Sequence, residues 1–481
     1  MKSIISPKAL LPVLFSLVSL LAPVNTFAQE RAELERFTGT WLGRLESGVM
    51  YLRIVFNISL NDKDTLKVSM ESPDQGTMII PLGNAVTRGD SLIIDARIIG
   101  GEYLGRLAGE KNMEGLWKQM GQTFTLNLEK QDAPFKQQAR PQDPKTPLPY
   151  RSEEVTFRNE NAGITLAGTL TLPQGDGPFP AAIMITGSGP QNRDEEIMGH
   201  KPFAVIADHL TRNGIAVLRY DDRGVGKSQG VYSKATSADL ATDAEAALNF
   251  LQGHSSINKS MTGLIGHSEG GLIAPILAAR DSRVAWIVSL AGPGVNGEQV
   301  LLKQSTDISL AMGSSEEEVK TSEKINRKLY KVIRKVPNSE DAGDKIVKIM
   351  TKELKKIDVE QEVINERINT LKLSLLGDPY NWFRYFIVTE PSSLWKEIKA
   401  PVLILNGEKD LQVNAGINTS GIAEALKSGG NTSYEVKIFP GLNHLFQHSE
   451  TGLPQEYGTI EETFSPEVLS VISGWIRKLA Y

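Results

Sequence analysis

The sequence predicts an α/β protein: a mostly parallel sheet with helices on both faces, a helical insert near its middle, and a small all-β domain before it. Three observations carry this. From residue 151 onward, apolar runs of strand length alternate with segments of helical spacing, the pattern of a parallel sheet covered on both sides. Residues 30–131 instead hold short alternating runs separated by turn signals, the pattern of a small antiparallel barrel or sandwich. Between them, residues 132–150 carry Pro134, Pro141, Pro144, Pro147 and Pro149 among Gln, Lys and Asp, the composition of a semi-rigid, solvated linker.

Composition narrows the class. A chain of 481 residues with 40% hydrophobic and 23% charged residues has an ordinary soluble balance and enough apolar surface for a sizeable core. The first 28 residues stand apart. Lys2 and Lys8 precede or open an apolar run through Leu20-Leu21, and Thr26-Phe27-Ala28 supplies small residues where a signal peptidase reads. The run is shorter than a membrane span, so residues 1–28 are expected to be a removable signal peptide with no stable membrane insertion. Removing them takes away two positive charges and no acids, moving the net charge from −5 to −7. No basic stripe is left to neutralise phosphates, which argues against nucleic acid as a partner. The chain has no cysteine, which excludes disulfides, a thiol nucleophile, Cys-ligated zinc and a lipidated cysteine. An exported, disulfide-free protein suits a bacterial periplasm or exterior.

In residues 30–131 the strands expected are Gly39–Leu45, Tyr51–Ile58, Thr65–Met70, Thr77–Pro81, Ser91–Ile99 and Thr123–Glu129, divided by turn signals such as Asn61-Asp62, Pro73-Asp74 and Arg88-Gly89-Asp90. Trp41 and Trp117 either plug the core of this domain or line a ligand mouth, and core packing is the stronger expectation. No catalytic constellation falls here.

From residue 151 the reading is a hairpin at Glu154–Arg158 and Ile164–Leu172, then a buried strand at Ala181–Thr186. A helix at Pro202–Asn213 closes at Gly214 before the strand Ile215–Tyr220. Leu240–Leu251 has helical spacing, with Ser237 as a candidate N-cap. Next comes the stretch that organises the chain. Leu264-Ile265 leads into Gly266-His267-Ser268-Glu269-Gly270, and Leu272, Ile273, Ile276 and Leu277 follow at helical spacing. Strand, sharp turn and helix around G-x-S-x-G form the nucleophile elbow of α/β-hydrolases. Glycines flank the serine because a Cβ there would strike the neighbouring strand or helix, and the helix N-terminus behind it offers N–H groups to a developing oxyanion. Gly226-Lys227-Ser228-Gln229-Gly230 also fits the pattern but lacks the flanking strand and helix, so it reads as loop; Asp221 stands where a phosphate-binding loop needs glycine.

The strand Ala285–Leu290 follows the elbow helix. Residues 297–378 then break the rhythm with Lys- and Glu-rich helical segments, opened by capping-box signals in Ser314–Glu318 and split near Pro337-Asn338 and Gly343. An all-α insert between two core strands is either a lid over the site or a solvated decoration, and the lid is the favoured reading. Alternation resumes with Val402–Asn406, a helix around Ile422–Leu426, the strand Tyr434–Phe439 and a terminal helix near Pro466–Leu479.

The elbow fixes where its partners must lie, since the chain order in this fold is Ser, acid, His. Asp410 follows the buried strand Val402–Asn406, with Glu408 as its rival. Of six histidines only His444 and His448 follow the last strand, and His444 sits just past it. His267 is expected to pack. The oxyanion hole is assigned to the backbone N–H groups of Glu269, after the nucleophile, and of Ser188, in the glycine-flanked turn Gly187-Ser188-Gly189-Pro190. No histidine pair or acidic triplet is spaced to hold a metal, and no cofactor is expected.

Gly187-Ser188-Gly189-Pro190-Gln191-Asn192-Arg193-Asp194-Glu195, Arg219-Tyr220-Asp221-Asp222-Arg223-Gly224, the G-H-S-E-G elbow, Trp382-Phe383-Arg384-Tyr385-Phe386 and Gly441-Leu442-Asn443-His444 occur in one order over about residues 151–481. Together they resemble the bacterial EstD-type carboxylesterases of the α/β-hydrolase superfamily, which are similar in having a separate N-terminal domain and a helical insert before the acid's strand. Relatives often carry His-Gly where this chain has Thr186-Gly187. The resemblance implies hydrolysis of short-chain acyl esters, with a small-molecule ester as substrate. From the residues, Ser268 would attack, His444 act as base and Asp410 orient it. Trp382 and Phe383 either line the acyl pocket or pack in the core. A serine peptidase anchoring an amino terminus on Asp194, Glu195 or Glu196, a carbohydrate acetyl esterase, and a binding protein acting through its β-domain are the rival readings. A homodimer stays open.

Overall fold

The computed structural model describes residues 31–480 except 48–49, 74–78, 84, 120–121, 134–138, 358–360, 362–363, 366–367, 370 and 373–375. The expected signal peptide lies outside the described residues. Two compact units part between Lys136 and Gln137.

The N-terminal unit is one antiparallel sheet of ten strands: β1 (Gly39–Ser47), β2 (Met50–Leu60), β3 (Leu66–Glu71), β4 (Ile79–Pro81), β5 (Ala85–Arg88), β6 (Ser91–Ala96), β7 (Gly101–Leu107), β8 (Asn112–Gln119), β9 (Gln122–Thr125) and β10 (Leu128–Gln131). Their order is β4-β3-β2-β1-β10-β8-β7-β6-β5, with β9 on β8. Residues 82–83 link the two ends. The Leu82 N–H donates to Val68 on β3 (3.0 Å) and the Gly83 N–H to Asp95 on β6 (2.9 Å), so the sheet curls into a half-barrel. Trp41, Phe56, Tyr103 and Trp117 fill its inside, and with Trp41 at 0% and Trp117 at 2% exposure the tryptophans plug the core.

Sequence reading missed β5, β7 and β8 and ran β6 on to Ile99, where the structure makes a single 3₁₀ turn. Glycine breaks the alternation of β7 and β8. It is required there because a Cβ at Gly115 would stand 2.3 Å from the Tyr103 hydroxyl, and one at Gly105 2.6 Å from its ring. These glycines make room for the tyrosine rather than mark turns.

In the second unit, β11 (Arg151–Asn159), β12 (Ile164–Leu172), β13 (Phe179–Ile185), β14 (Ala216–Tyr220), β15 (Ile257–His267), β16 (Ile287–Leu290), β17 (Val402–Gly407) and β18 (Tyr434–Phe439) form one sheet ordered β11-β12-β14-β13-β15-β16-β17-β18. It is antiparallel as far as β14 and parallel thereafter. The inner strands β13, β16 and β17 are almost wholly buried because both faces are covered, whereas the edge strands β11 and β18 expose polar residues. Ala182 and Met184 face α1 (Pro202–Arg212) and the terminal helix Pro466–Ala480. Ala181, Ile183 and Ile185 face the helices Ser237–Gly253, Gly270–Ala278 and Ala415–Ser428. This is the α/β-hydrolase fold, with a half-barrel β-domain before it.

The helix Ser237–Gly253, α2, is capped by Thr236, not Ser237. Thr236 and Asp239 close a capping box, which frees the Ser237 hydroxyl for the site below. The insert contains α4 (Gly297–Ala311), α5 (Glu316–Lys335) and α6 (Ser339–Leu354), numbered after the elbow helix α3 (Gly270–Ala278). Ser315 and Glu318 form the capping box of α5 and Asn338 caps α6. Helix α6 runs through Gly343, where a break was expected; the glycine there makes room for Leu376, which packs 2.8 Å from where a Cβ would be. With α7 (Pro379–Val388) the insert has a core of its own, around Ile325, Ile333, Ile346, Tyr380 and Ile387.

In the proline-rich stretch Pro141, Lys145, Thr146, Pro147 and Pro149 are exposed, while Arg140 and Gln142 tie it to the second unit. The Arg140 guanidinium donates to the carbonyls of Met198 (3.1 Å), Gly458 (3.0 Å) and Ile460, and Gln142 bonds Thr463 and Phe464. Beside them His200 is buried between the Thr463 hydroxyl (2.9 Å) and the Tyr457 carbonyl (2.8 Å). Burial, then the Arg140 charge, push its imidazole down from 6.5 to about 4. Because the folded value lies below the unfolded one, the unfolded chain binds this proton first as the pH falls. The stabilisation is therefore complete above pH 6.5 and lost as the pH falls through about 4. In Tm measurements against pH, His200→Gln should flatten the decline across that window while lowering Tm at pH 8. Parallel curves would contradict this origin of the acid sensitivity.

Candidate active site

Strand β15 ends at His267, and Ser268 takes φ 52°, a conformation that costs a non-glycine residue about 1–3 kcal/mol and must be held by its surroundings. The hold is tight. A Cβ at Gly266 would lie 2.1 Å from the Gly270 carbonyl oxygen, and one at Gly270 2.2 Å from that of Ile185. Only glycine fits at either position. The Ser268 N–H donates to Leu290 on β16 at 2.9 Å, fixing the turn against the next strand.

Asp410 follows β17 and is 1% exposed. Its Oδ1 accepts the N–H groups of Gln412 and Val413, both at 2.8 Å, and its Oδ2 accepts from Asn406 Nδ2 at 3.1 Å. Oδ2 also meets His444 Nδ1 at 2.8 Å. Four donors converge on one carboxylate and so compensate its buried charge. Glu408, the rival acid, is exposed and accepts the Gly441 N–H. His448 is paired with Glu462 at the surface. Ser268 and His444 line one cavity of about 290 Å³, together with Gly187, Ser188, Val300, Leu301, Trp382, Phe386 and Val413.

The loop after β13 is held from several sides. The Gly187 N–H donates to Glu195 Oε1 (2.7 Å) and the Gly189 N–H to the Tyr232 hydroxyl (3.0 Å). Asp222 accepts from the Thr186 hydroxyl and the Gln191 N–H, both at 2.9 Å. Between these tethers the Ser188 N–H is left without a partner among the described residues, as is the Glu269 N–H at the start of α3. Two unspent donors beside the nucleophile are what an oxyanion needs.

Sequence reasoning assigned Glu269 a backbone role alone. Its side chain is buried, and Oε1 accepts from the Ser237 hydroxyl (2.6 Å) and Trp382 Nε1 (2.7 Å). Burial pushes this carboxyl up against the pull of those donors and of Ser188. The bond fixes Trp382 in the cavity wall, stacked on Phe386 at 5.8 Å and 8°. Of the two readings open for Phe383, the structure shows core packing: it lies beside Tyr330 in the insert core. Trp382 and Phe386 stand four residues apart on one helical face, whereas Phe383 is turned about 100° away. His267 does more than pack: it bonds Glu195 and the His444 backbone. Nothing in the sequence signalled this, because Glu195 lies 72 residues away.

The acidic run proposed as an amino-terminus anchor is already engaged. Asp194 pairs with Arg219, Glu195 with Gly187 and His267, and Glu196 accepts from Asn192. Among the described residues no cluster of three or more His, Asp or Glu side chains is arranged to hold a metal, and no helix is long and apolar enough to cross a membrane.

The fold, the elbow and the Asp410–His444 pair beside Ser268 define an α/β-hydrolase. Within that class the chain resembles EstD-type enzymes: it is 26% identical over 337 residues to esterase EstD of Thermotoga maritima, covering 69% of this chain and 70% of that protein. The family described as "Serine aminopeptidase, S33" matches residues 200–339. Polyketide transferase ATR5 of Stachybotrys chlorohalonatus is 31% identical over 161 residues, a third of this chain and half of that one. Among solved structures, the Pyrococcus furiosus esterase Pf2001 aligns over 72% of this chain and 98% of its own at 16% identity and TM-score 0.41.

Proposed function

We propose that the protein is a serine carboxylesterase that hydrolyses short-chain acyl esters through an acyl-enzyme. The observation that carries the proposal is that Ser268 and His444 line one small cavity, with His444 bonded to the buried Asp410 at 2.8 Å. His444 takes the Ser268 proton as the hydroxyl attacks the acyl carbon, and Asp410 holds the imidazole in the tautomer whose Nε2 accepts. The N–H groups of Ser188 and Glu269 receive the oxyanion. His444 then protonates the leaving alcohol, and in the second half it deprotonates the water that releases the acid.

The similarity to esterase EstD supports an ester rather than an amide as substrate. The engaged carboxylates of Asp194, Glu195 and Glu196 weigh against an amino-terminus anchor, although one matching family is described as an aminopeptidase. Chain length follows from size. A cavity of about 290 Å³ is at the lower end of small-molecule sites, about 300–1,000 Å³, and its apolar wall of Val300, Leu301, Trp382 and Phe386 suits a short acyl group. On p-nitrophenyl acetate, butyrate and octanoate, kcat/KM should favour the two shorter esters by about tenfold or more. Preference for octanoate would overturn the short-chain reading, and faster cleavage of an aminoacyl p-nitroanilide would overturn the esterase reading.

A further inference from the structure

His267 directly precedes the nucleophile, and each of its ring nitrogens faces oxygen. Nε2 is 3.0 Å from the backbone carbonyl oxygen of His444, and Nδ1 is 3.0 Å from Oε1 of Glu195. A carbonyl oxygen has no proton to give, so Nε2 must carry one. A second proton must stand between Nδ1 and Oε1, since two lone pairs would otherwise oppose each other in a buried site. Oε1 also accepts the Gly187 N–H at 2.7 Å. An oxygen already accepting an N–H is a poorer seat for the proton than the more basic imidazole nitrogen, which assigns the proton to Nδ1.

We infer that His267 is an imidazolium paired with the Glu195 carboxylate, and that the two are positioning residues. One end of the pair holds the His444 backbone, and the other holds Gly187 at the root of the oxyanion loop. This rests on the proposed roles of His444 and Ser188. The location suits such a clamp. His267 and Glu195 are buried, the His267 and His444 rings are 4.8 Å apart, and a Cβ on Gly187 would lie 3.2 Å from the Ser268 Cβ. Glu195 adopts φ 51°, a strained conformation for a glutamate that persists only where its bonds hold it. The ionisable groups facing His267 are Glu195, from the loop after β13, Asp410, from the loop after β17, and the His444 ring, from the loop after β18. Burial pulls the imidazole pKa down, but the two carboxylates and the His444 carbonyl outweigh it and raise it above the ordinary value.

The test uses the full chain labelled with ¹⁵N-histidine, at pH 8. One ring, assigned by through-bond correlation to the Ser268 amide, should show both nitrogens protonated. In Glu195→Gln, whose side chain keeps the size and an acceptor for Gly187 but no charge, that ring should turn neutral. The kcat per active site titrated with a fluorophosphonate should fall about 10- to 100-fold, as small misplacements of reacting groups do, with KM changed by less than about threefold. His267→Gln should behave alike. A neutral His267 ring in the wild type would overturn the proposal, as would kcat per titrated site near wild type, or a rise in KM alone. If both variants fail to fold, the wild-type spectrum decides. If Ser268 takes no fluorophosphonate in the wild type, the esterase reading fails, whereas the proton count on His267 is read independently of it.

Discussion

Replacing Ser268 with alanine is expected to lower kcat by about 10⁵- to 10⁶-fold, the scale on which loss of a triad nucleophile acts. The loss should appear without unfolding. The Ser268 hydroxyl has no partner among the described residues, and alanine occupies the same Cβ position at φ 52°, so Tm should move by less than about 2 °C, the span of a surface-scale change in stability. Residual hydrolysis would come from the free N–H groups of Ser188 and Glu269 and from substrate binding. The checks are steady-state turnover of p-nitrophenyl butyrate and a thermal melt of the same preparation. Turnover within tenfold of wild type would remove Ser268 from the mechanism.

The second large effect is that of Asp410→Asn, about 10⁴-fold in kcat, because the wrong histidine tautomer would be held. The geometry dictates how. The N–H groups of Gln412 and Val413 both point at Oδ1, so an asparagine must keep its carbonyl oxygen there. Its amide would then face His444 Nδ1 and donate to it. That leaves Nε2 protonated and unable to take the Ser268 proton. The same amide would oppose Asn406 Nδ2, which donates to Oδ2 as well as to the Val413 carbonyl, so stability should fall as well, by about 1 kcal/mol for the one hydrogen bond lost. A pH–rate profile separates the two effects. Activity should return in part at high pH, where base other than imidazole can act, even though the melt is shifted. A variant retaining a tenth or more of wild-type kcat at neutral pH would deny Asp410 its role.

The geometry of the candidate site was legible because its order along the chain is tied to strand ends. Once the G-H-S-E-G turn was placed after a strand, Asp410 and His444 followed from the strands before them. Their rivals Glu408 and His448 are both at the surface. Legibility failed where one residue's neighbours come from distant segments. The Glu269 side chain gathers donors from Ser237 and Trp382, 32 and 113 residues away. Ser237 was read as a helix cap because the hydroxyl next to it, Thr236, offers the same signal; the capping box went to the pair that includes Asp239. Phe383 and Phe386 are alike in a sequence, and helix phase alone turns the second toward Ser268. In the β-domain, Gly105 and Gly115 look like interruptions until the Tyr103 ring is seen lying over them.

The most direct test of a serine esterase centred on Ser268 is covalent. The protein is treated with a fluorophosphonate, digested, and the adduct located by mass spectrometry, alongside Ser268→Ala. A single stoichiometric adduct on Ser268, gained as ester turnover is lost and absent from the variant, is the predicted result. Complete loss of turnover with the label on another residue, or turnover that survives full labelling of Ser268, would contradict it.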